Sequence, residues 1–246
     1  MKNYLILPAL LLFLAFSFSS CSEDNNPDVL GTGEVKIGMG IKLQNSVNPG
    51  ARLTNAGLEI NSGFIQVKEV ELETEGVDDS GREFEKELEY RFPEIKKITF
   101  DEFDSGVDFF IAIPAGNYEE IEVELDLIDN RNQPSLELNG NFNKQDGSAV
   151  PFKFQVFGDD DDDWDFEVEL EAEDDDDLFF LDAVNNPLAL FQINAEGWFS
   201  GVSTSELEAA ELTDGVLLIT KQINGSIFRK VEQRIKDSTE IELKMN

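Results

Sequence analysis

The densest chemistry-bearing run in the chain is Asp159 to Asp163, followed by Trp164 and Asp165; a second run, Asp174 to Asp177, follows with Asp182 beyond it. Carboxylates this crowded raise one another's pKa and favour a counter-cation. Hard oxygen ligands suit Ca2+, so the candidate ligands are Asp159, Asp161, Asp163 and Asp165 in the first run and Asp174 and Asp176 in the second. The pattern is not an EF-hand. Registers starting at Asp159, Asp160 or Asp161 place Trp164, Asp165 or Phe166 where that loop needs glycine. The runs sit on either side of an expected strand, Phe166 to Glu173, and eight residues at ~3.3 Å each separate them by roughly 26 Å. They therefore cannot share an ion. The plain alternative is a pair of solvated acidic loops. Trp164 is a candidate ligand contact, set against a side chain folded back on the sheet.

Other chemistries lack their parts. The chain contains no histidine, which removes the usual general base near neutral pH and the commonest metal ligand. Ser-His-Asp and Cys-His machinery is absent with it. Any metal site must be all-oxygen, favouring Ca2+ or Mg2+. Carboxylate pairs could serve glycoside hydrolysis, but acids are so abundant that their proximity singles out no pair. The expectation is a non-catalytic protein. With 19 basic against 52 acidic residues, the net charge is −33. Such a body repels nucleic acid and anionic head groups, so no nucleic-acid partner is expected.

The only cysteine is Cys21. Lys2 leads an apolar run from Tyr4 to Phe18, close to the length of a secretory h-region and short of the ~20 residues that span a bilayer. Phe18-Ser19-Ser20-Cys21 resembles a bacterial lipoprotein lipobox, with phenylalanine where leucine is usual and serine where glycine or alanine is usual. The resemblance implies removal of residues 1–20 and lipidation of Cys21. Several acyl chains hold firmly where one holds weakly, since each buried CH2 contributes ~0.8 kcal/mol. Residues 21–32 then form a polar, acidic linker. Its start, Ser22 to Asp28, resembles the acidic tag of surface-exposed lipoproteins of Bacteroidota, implying an outer-membrane lipoprotein facing the cell exterior.

The elements that must carry these residues read as strands. Val35, Ile37, Met39, Ile41 and Leu43 alternate with smaller or polar residues. Phe84, Leu88, Tyr90 and Phe92 do so with Lys86 as the one break, and Ile121 to Leu127 alternate with acids. Val150 to Val156 and Phe166 to Leu170 follow suit. Period two with one wet face argues antiparallel sheet, and much of the negative charge falls on the wet face. Ile65 and Val67 share one phase and Val70 and Leu72 the other, so a β-bulge is expected near Lys68-Glu69. The Asp159 run reads as a hairpin loop between Phe152–Phe157 and Phe166–Glu173. Ser203 to Glu211 reads as a short helix. Ser226 to Lys236 reads as another, with Ile227, Val231 and Ile235 on one stripe and Arg229, Lys230, Arg234 and Lys236 opposite. Trp198 is expected to cap the core. The fold expected is an all-β, antiparallel sandwich over residues 33–246, with one or two short helices near the C-terminus.

Six segments carry a resemblance in their order: Ser62-Gly63-Phe64-Ile65, Ile113 to Tyr118, Leu138 to Phe142, Pro151 to Phe154, Gly197-Trp198-Phe199 and the helix from Ile227 to Ser238. Together they resemble a lipoprotein domain family of the Bacteroidota cell envelope. The family implies an immunoglobulin- or prealbumin-like sandwich and an envelope location, and assigns no activity. The resulting expectation is a lipid-anchored surface module that binds or scaffolds, with Ca2+ as the candidate cofactor. A glycan or another envelope protein is the candidate partner. The alternative is a glycan-binding accessory protein of a polysaccharide-uptake system.

Overall fold

The computed structural model describes residues 27–43, 57–78, 80–101, 103, 106–158, 165–171, 178–184, 188–235 and 239–244. Its strands, in chain order, begin with β1 (Asp28–Gly31), β2 (Val35–Leu43), β3 (Leu58–Val77), β4 (Glu83–Asp101) and β5 (Phe109–Ile113). They continue with β6 (Gly116–Leu127), β7 (Pro134–Asn143), β8 (Ala149–Phe157), β9 (Asp165–Glu171) and β10 (Phe179–Leu181). β11 (Leu188–Ile193), β12 (Leu217–Ile219) and β13 (Thr239–Lys244) complete the set.

One sheet runs β1-β5-β2-β11-β13. The other is built around the 20-residue β3. β4 lines one edge of β3 for nearly its full length. The opposite edge is shared: β6 pairs with Val67 to Val77, and β7 takes over from Ile65 to Leu58. Beyond β7 lie β8 and β12, and beyond β6 lie β9 and β10. The architecture is sandwich-like, with both sheets contributing to one apolar core.

The expected bulge is present. Lys68 is the extra residue against β6, and Ile65, Val67, Val70 and Leu72 all reach the core. On β4 the irregularity is larger, since Phe92 to Ile95, including Pro93, have no partner on β3. The same level of the sheet holds the joint between β6 and β7. It also holds the joint between β8 and β9, because Phe157 lies opposite Pro134 while Asp165 lies opposite Asp126. A crease thus crosses the whole sheet.

Three expectations change. The sheets are mixed, not purely antiparallel: β1 with β5, β2 with β11 and β8 with β12 are parallel. Parallel partners are joined by long crossovers, which alternation within a strand does not reveal. The Asp159 run does not close a hairpin, because β8 pairs with β7 and β9 with β6. Asp28–Gly31, read from sequence as linker, is a strand. There Gly31 adopts φ +78° and lies so close to Tyr90 that a Cβ would fall 2.7 Å from its hydroxyl.

Three short helices sit near the C-terminus: α1 (Ala195–Trp198), α2 (Thr204–Ala209) and α3 (Gly225–Ile235), with a 3-10 turn at Phe199–Gly201. The four-residue α1 shows no periodicity in sequence; Asn194 Oδ1 caps it by accepting from the Gly197 N–H at 2.9 Å. α2 starts on a capping box between Ser203 and Glu206. Ile227, Phe228, Val231 and Ile235 of α3 are buried, as its stripe predicts. Phe154 of β8 stacks on Phe228 at 5.5 Å and meets Phe199 edge-on at 5.6 Å. Trp198 is fully buried in the same layer. The helices therefore close the core over β8 through ring contacts, each worth about 0.5–1.5 kcal/mol beyond area burial.

Candidate functional site

Most of the residues singled out from sequence lie outside the described residues: Cys21, Asp159, Asp161, Asp163, Trp164, Asp174 and Asp176. Asp165 opens β9, with Asp126 as its cross-strand partner. The end of β8 is held close to the β6–β7 joint. A Cβ on Gly158 would lie 2.5 Å from Asp129 Cα and 2.8 Å from the Asn130 nitrogen, so only glycine fits there.

The structure assembles a different acidic feature. Four strands, β4, β3, β6 and β9, each carry acids at alternate positions, and their registers bring these into rows. One row is Glu89, Glu71, Glu124 and Glu167; the next is Glu87, Glu73, Glu122 and Glu169; the next is Glu85, Glu75, Glu120 and Glu171. The row nearest the crease is Arg91, Glu69, Asp126 and Asp165. Fifteen of these sixteen register positions are acidic. Neighbours within a row are spaced by the strand separation, ~4.8 Å, and successive rows by two residues, ~6.6 Å. The intervening residues of β3 and β6, including Val70, Leu72, Ile121, Val123 and Leu125, are buried in the core. The period of two therefore directs the acids of β3 and β6 outward, and Glu85, Glu87 and Glu89 of β4 are exposed beside them.

Like charges directly opposite one another destabilise a sheet. At the crease, Arg91 Nε bonds Glu69 Oε1 at 2.7 Å, and Lys68 Nζ lies 3.6 Å from Asp126. Away from that margin the carboxyls press on one another. Partial burial raises the pKa of Glu71, with Asp126, Glu124, Glu89 and Glu69 adding repulsion. Partial burial raises that of Glu73 too, with Glu85, Glu87, Glu75 and Glu120 adding. A depression in the face is lined by Glu71, Leu72, Glu73, Glu87, Glu122 and Glu124. One carboxylate oxygen each from Glu73, Glu75 and Glu85 lie within 4.8 Å of one another. Three carboxylate oxygens so grouped make a cluster of the hard-donor type that calcium takes.

Sequence reasoning noted the wet acidic faces of β6 and β9 but not this array. The signal was present as four runs of alternating acids: Glu69 to Glu75, Glu85 to Glu89, Glu120 to Asp126 and Asp165 to Glu171. What the runs do not contain is the register that stacks them.

No family model, curated protein or solved structure matches the chain. Among the described residues, no helix is long and apolar enough to cross a membrane.

Proposed function

We propose that this protein is a lipid-anchored, non-catalytic binding module of the bacterial cell envelope, exposed on the outer surface, and that its acidic sheet face binds divalent cations. The observation that carries the binding role is the register that sets fifteen acids on sixteen neighbouring positions. A sheet that incurs this much repulsion gains most from a ligand that neutralises it. Calcium fits because carboxylates are hard donors and because the Glu73, Glu75 and Glu85 oxygens stand close enough to share one ion. The anchor rests on Cys21 and the apolar run before it. The two-sheet body over one core supports kinship with immunoglobulin- or prealbumin-like sandwiches, elaborated by parallel pairings both at sheet edges and between β2 and β11.

Thermal unfolding of the full chain in EDTA, in millimolar Ca2+ and in NaCl of matched ionic strength tests the binding. Ligand at 100 times its Kd stabilises by about 2.7 kcal/mol, and each kcal/mol moves Tm by about 2–4 °C in a domain of this size. A rise of several degrees in Ca2+ alone is expected. The Glu75→Gln, Glu85→Gln double variant should lose most of it, whereas Asp161→Asn, Asp163→Asn should keep it. Identical melting in all three buffers rules calcium out. Mass spectrometry of the native N-terminus tests the anchor separately: an unmodified Cys21 ends that part of the reading.

A further inference from the structure

On the other side of the crease the same sheet face changes character. Asn139 of β7 and Lys153 of β8 are direct cross-strand partners. Both donate to one oxygen: Asn139 Nδ2 lies 3.0 Å and Lys153 Nζ 3.2 Å from Glu137 Oε1. The Glu137 side chain is only 11% exposed, and Gln155 Nε2 holds its other oxygen at 2.6 Å. An amine, a carboxamide and a nearly buried carboxylate thus meet around a single atom.

We propose that this trio is a self-modification site, at which Lys153 and Asn139 join in an intramolecular amide bond. Glu137 Oε1 touches the nucleophile's nitrogen and the leaving group's nitrogen at once, as one group serving as base and then acid must. Oε1 takes a proton from the Lys153 ammonium. The freed amine pair attacks Asn139 Cγ, forming the Nζ–Cγ bond. Oε1 returns the proton to Nδ2, the Cγ–Nδ2 bond breaks, and ammonia leaves, protonated by the surplus proton of the lysine nitrogen. Atoms and charge balance with no oxidant, metal or co-reactant. The reaction is an exchange of one amide for another, and escape of ammonia draws it forward. Holding the groups on paired strands supplies the effective concentration that a free lysine and asparagine lack. Water is kept from Glu137 by its burial, and Gln155 fixes the carboxylate's rotamer. The product staples β7 to β8 in a chain whose single cysteine offers no internal disulfide. This inference does not depend on calcium or on the anchor.

The test is digestion of the full folded chain with trypsin, followed by mass spectrometry of the peptides. A bridged lysine resists trypsin, so the expected product is a branched peptide joining the Asn139 and Lys153 segments, lighter by one ammonia than the sum of its arms. Glu137→Gln and Lys153→Arg should each abolish the branch, and circular dichroism checks that these variants fold. Ordinary cleavage after Lys153 with both arms at full mass, in wild-type protein aged for days, overturns the proposal. A branch ending on Gln155 in place of Asn139 overturns the assignment. A branch that persists undiminished in folded Glu137→Gln removes the carboxylate from the mechanism.

Discussion

Glu206 and Glu73 have opposite environments, and the contrast sets how stability should follow pH. Glu206 accepts from Lys230 Nζ at 2.6 Å and from the Ser203 N–H and hydroxyl at 3.0 and 2.8 Å, and its pKa falls from 4.5 to about 2. A depressed folded pKa contributes stability above the unfolded value that is lost as pH drops through the folded one. Urea unfolding of Glu206→Gln should therefore show a smaller loss of stability than wild type between pH 5 and pH 2. Glu73 is shifted the other way, raised by partial burial and then by its glutamate neighbours. Its contribution is present at low pH and lost as pH rises through the raised value. Glu73→Gln should accordingly stabilise the fold at pH 7 in EDTA and make little difference at pH 3. A Glu73→Gln variant less stable than wild type at pH 7 would mean the face is not governed by repulsion. The basic face of α3, conspicuous in an acidic chain, is partly absorbed by this local pairing: Lys230 ties α3 to α2 through Glu206.

At the scale of elements, the bulge in β3 is where sequence and structure agree most closely. Two phases of apolar residues cannot both face one core unless one residue is extra, and Lys68 is that residue. Deleting Lys68 would put Ile65, Val67, Val70 and Leu72 in one phase and keep all four in the core, whereas deleting Glu71 from the regular stretch would turn Leu72 and the residues after it in β3 toward water. A buried side chain of this kind is worth about 1.5–3 kcal/mol, so the Glu71 deletion should lose its sharp thermal transition while the Lys68 deletion keeps one. Loss of the transition on deleting Lys68 but not on deleting Glu71 would refute the phase argument. Strand positions, the bulge, α2 and α3 were legible because each is written in local periodicity. Partner choice was not. β2 meets β11 across most of the chain, and β8 hands over to β9 with no change of direction, so the Asp159 run only mimics a hairpin loop. The acidic array shares this fate: its strands are visible individually, while its rows exist only once Glu71 stands between Glu89 and Glu124. β4 shows how such a sheet keeps a long edge from recruiting neighbours. It carries Pro93, an unpaired stretch and outward glutamates, all of which discourage pairing by another chain.

Among the described residues of the long sheet the charge is segregated. The half of the long sheet beyond β3's bulge carries the acid rows, and the other half carries Asn139, Gln155, Lys153 and the ring of Phe64 under Lys97 Nζ at 3.7 Å. Neighbours ~4.8 Å apart within a row, and rows ~6.6 Å apart, are closer than the ~8 Å screening length of physiological salt. Monovalent ions therefore relieve the repulsion only in part, which is why a matched NaCl control separates screening from site binding. The core that opposes this repulsion is continuous from β2 to α3.

The crease has a mechanical corollary. At that latitude β6 gives way to β7, β8 gives way to β9, and β4 loses its bonds to β3 from Phe92 to Ile95. Only β3 carries the ladder across without a gap in its chain path. Under shear the two plates would part along this seam before either one frayed, and the backbone amides flanking Lys68 would be the first to exchange with solvent.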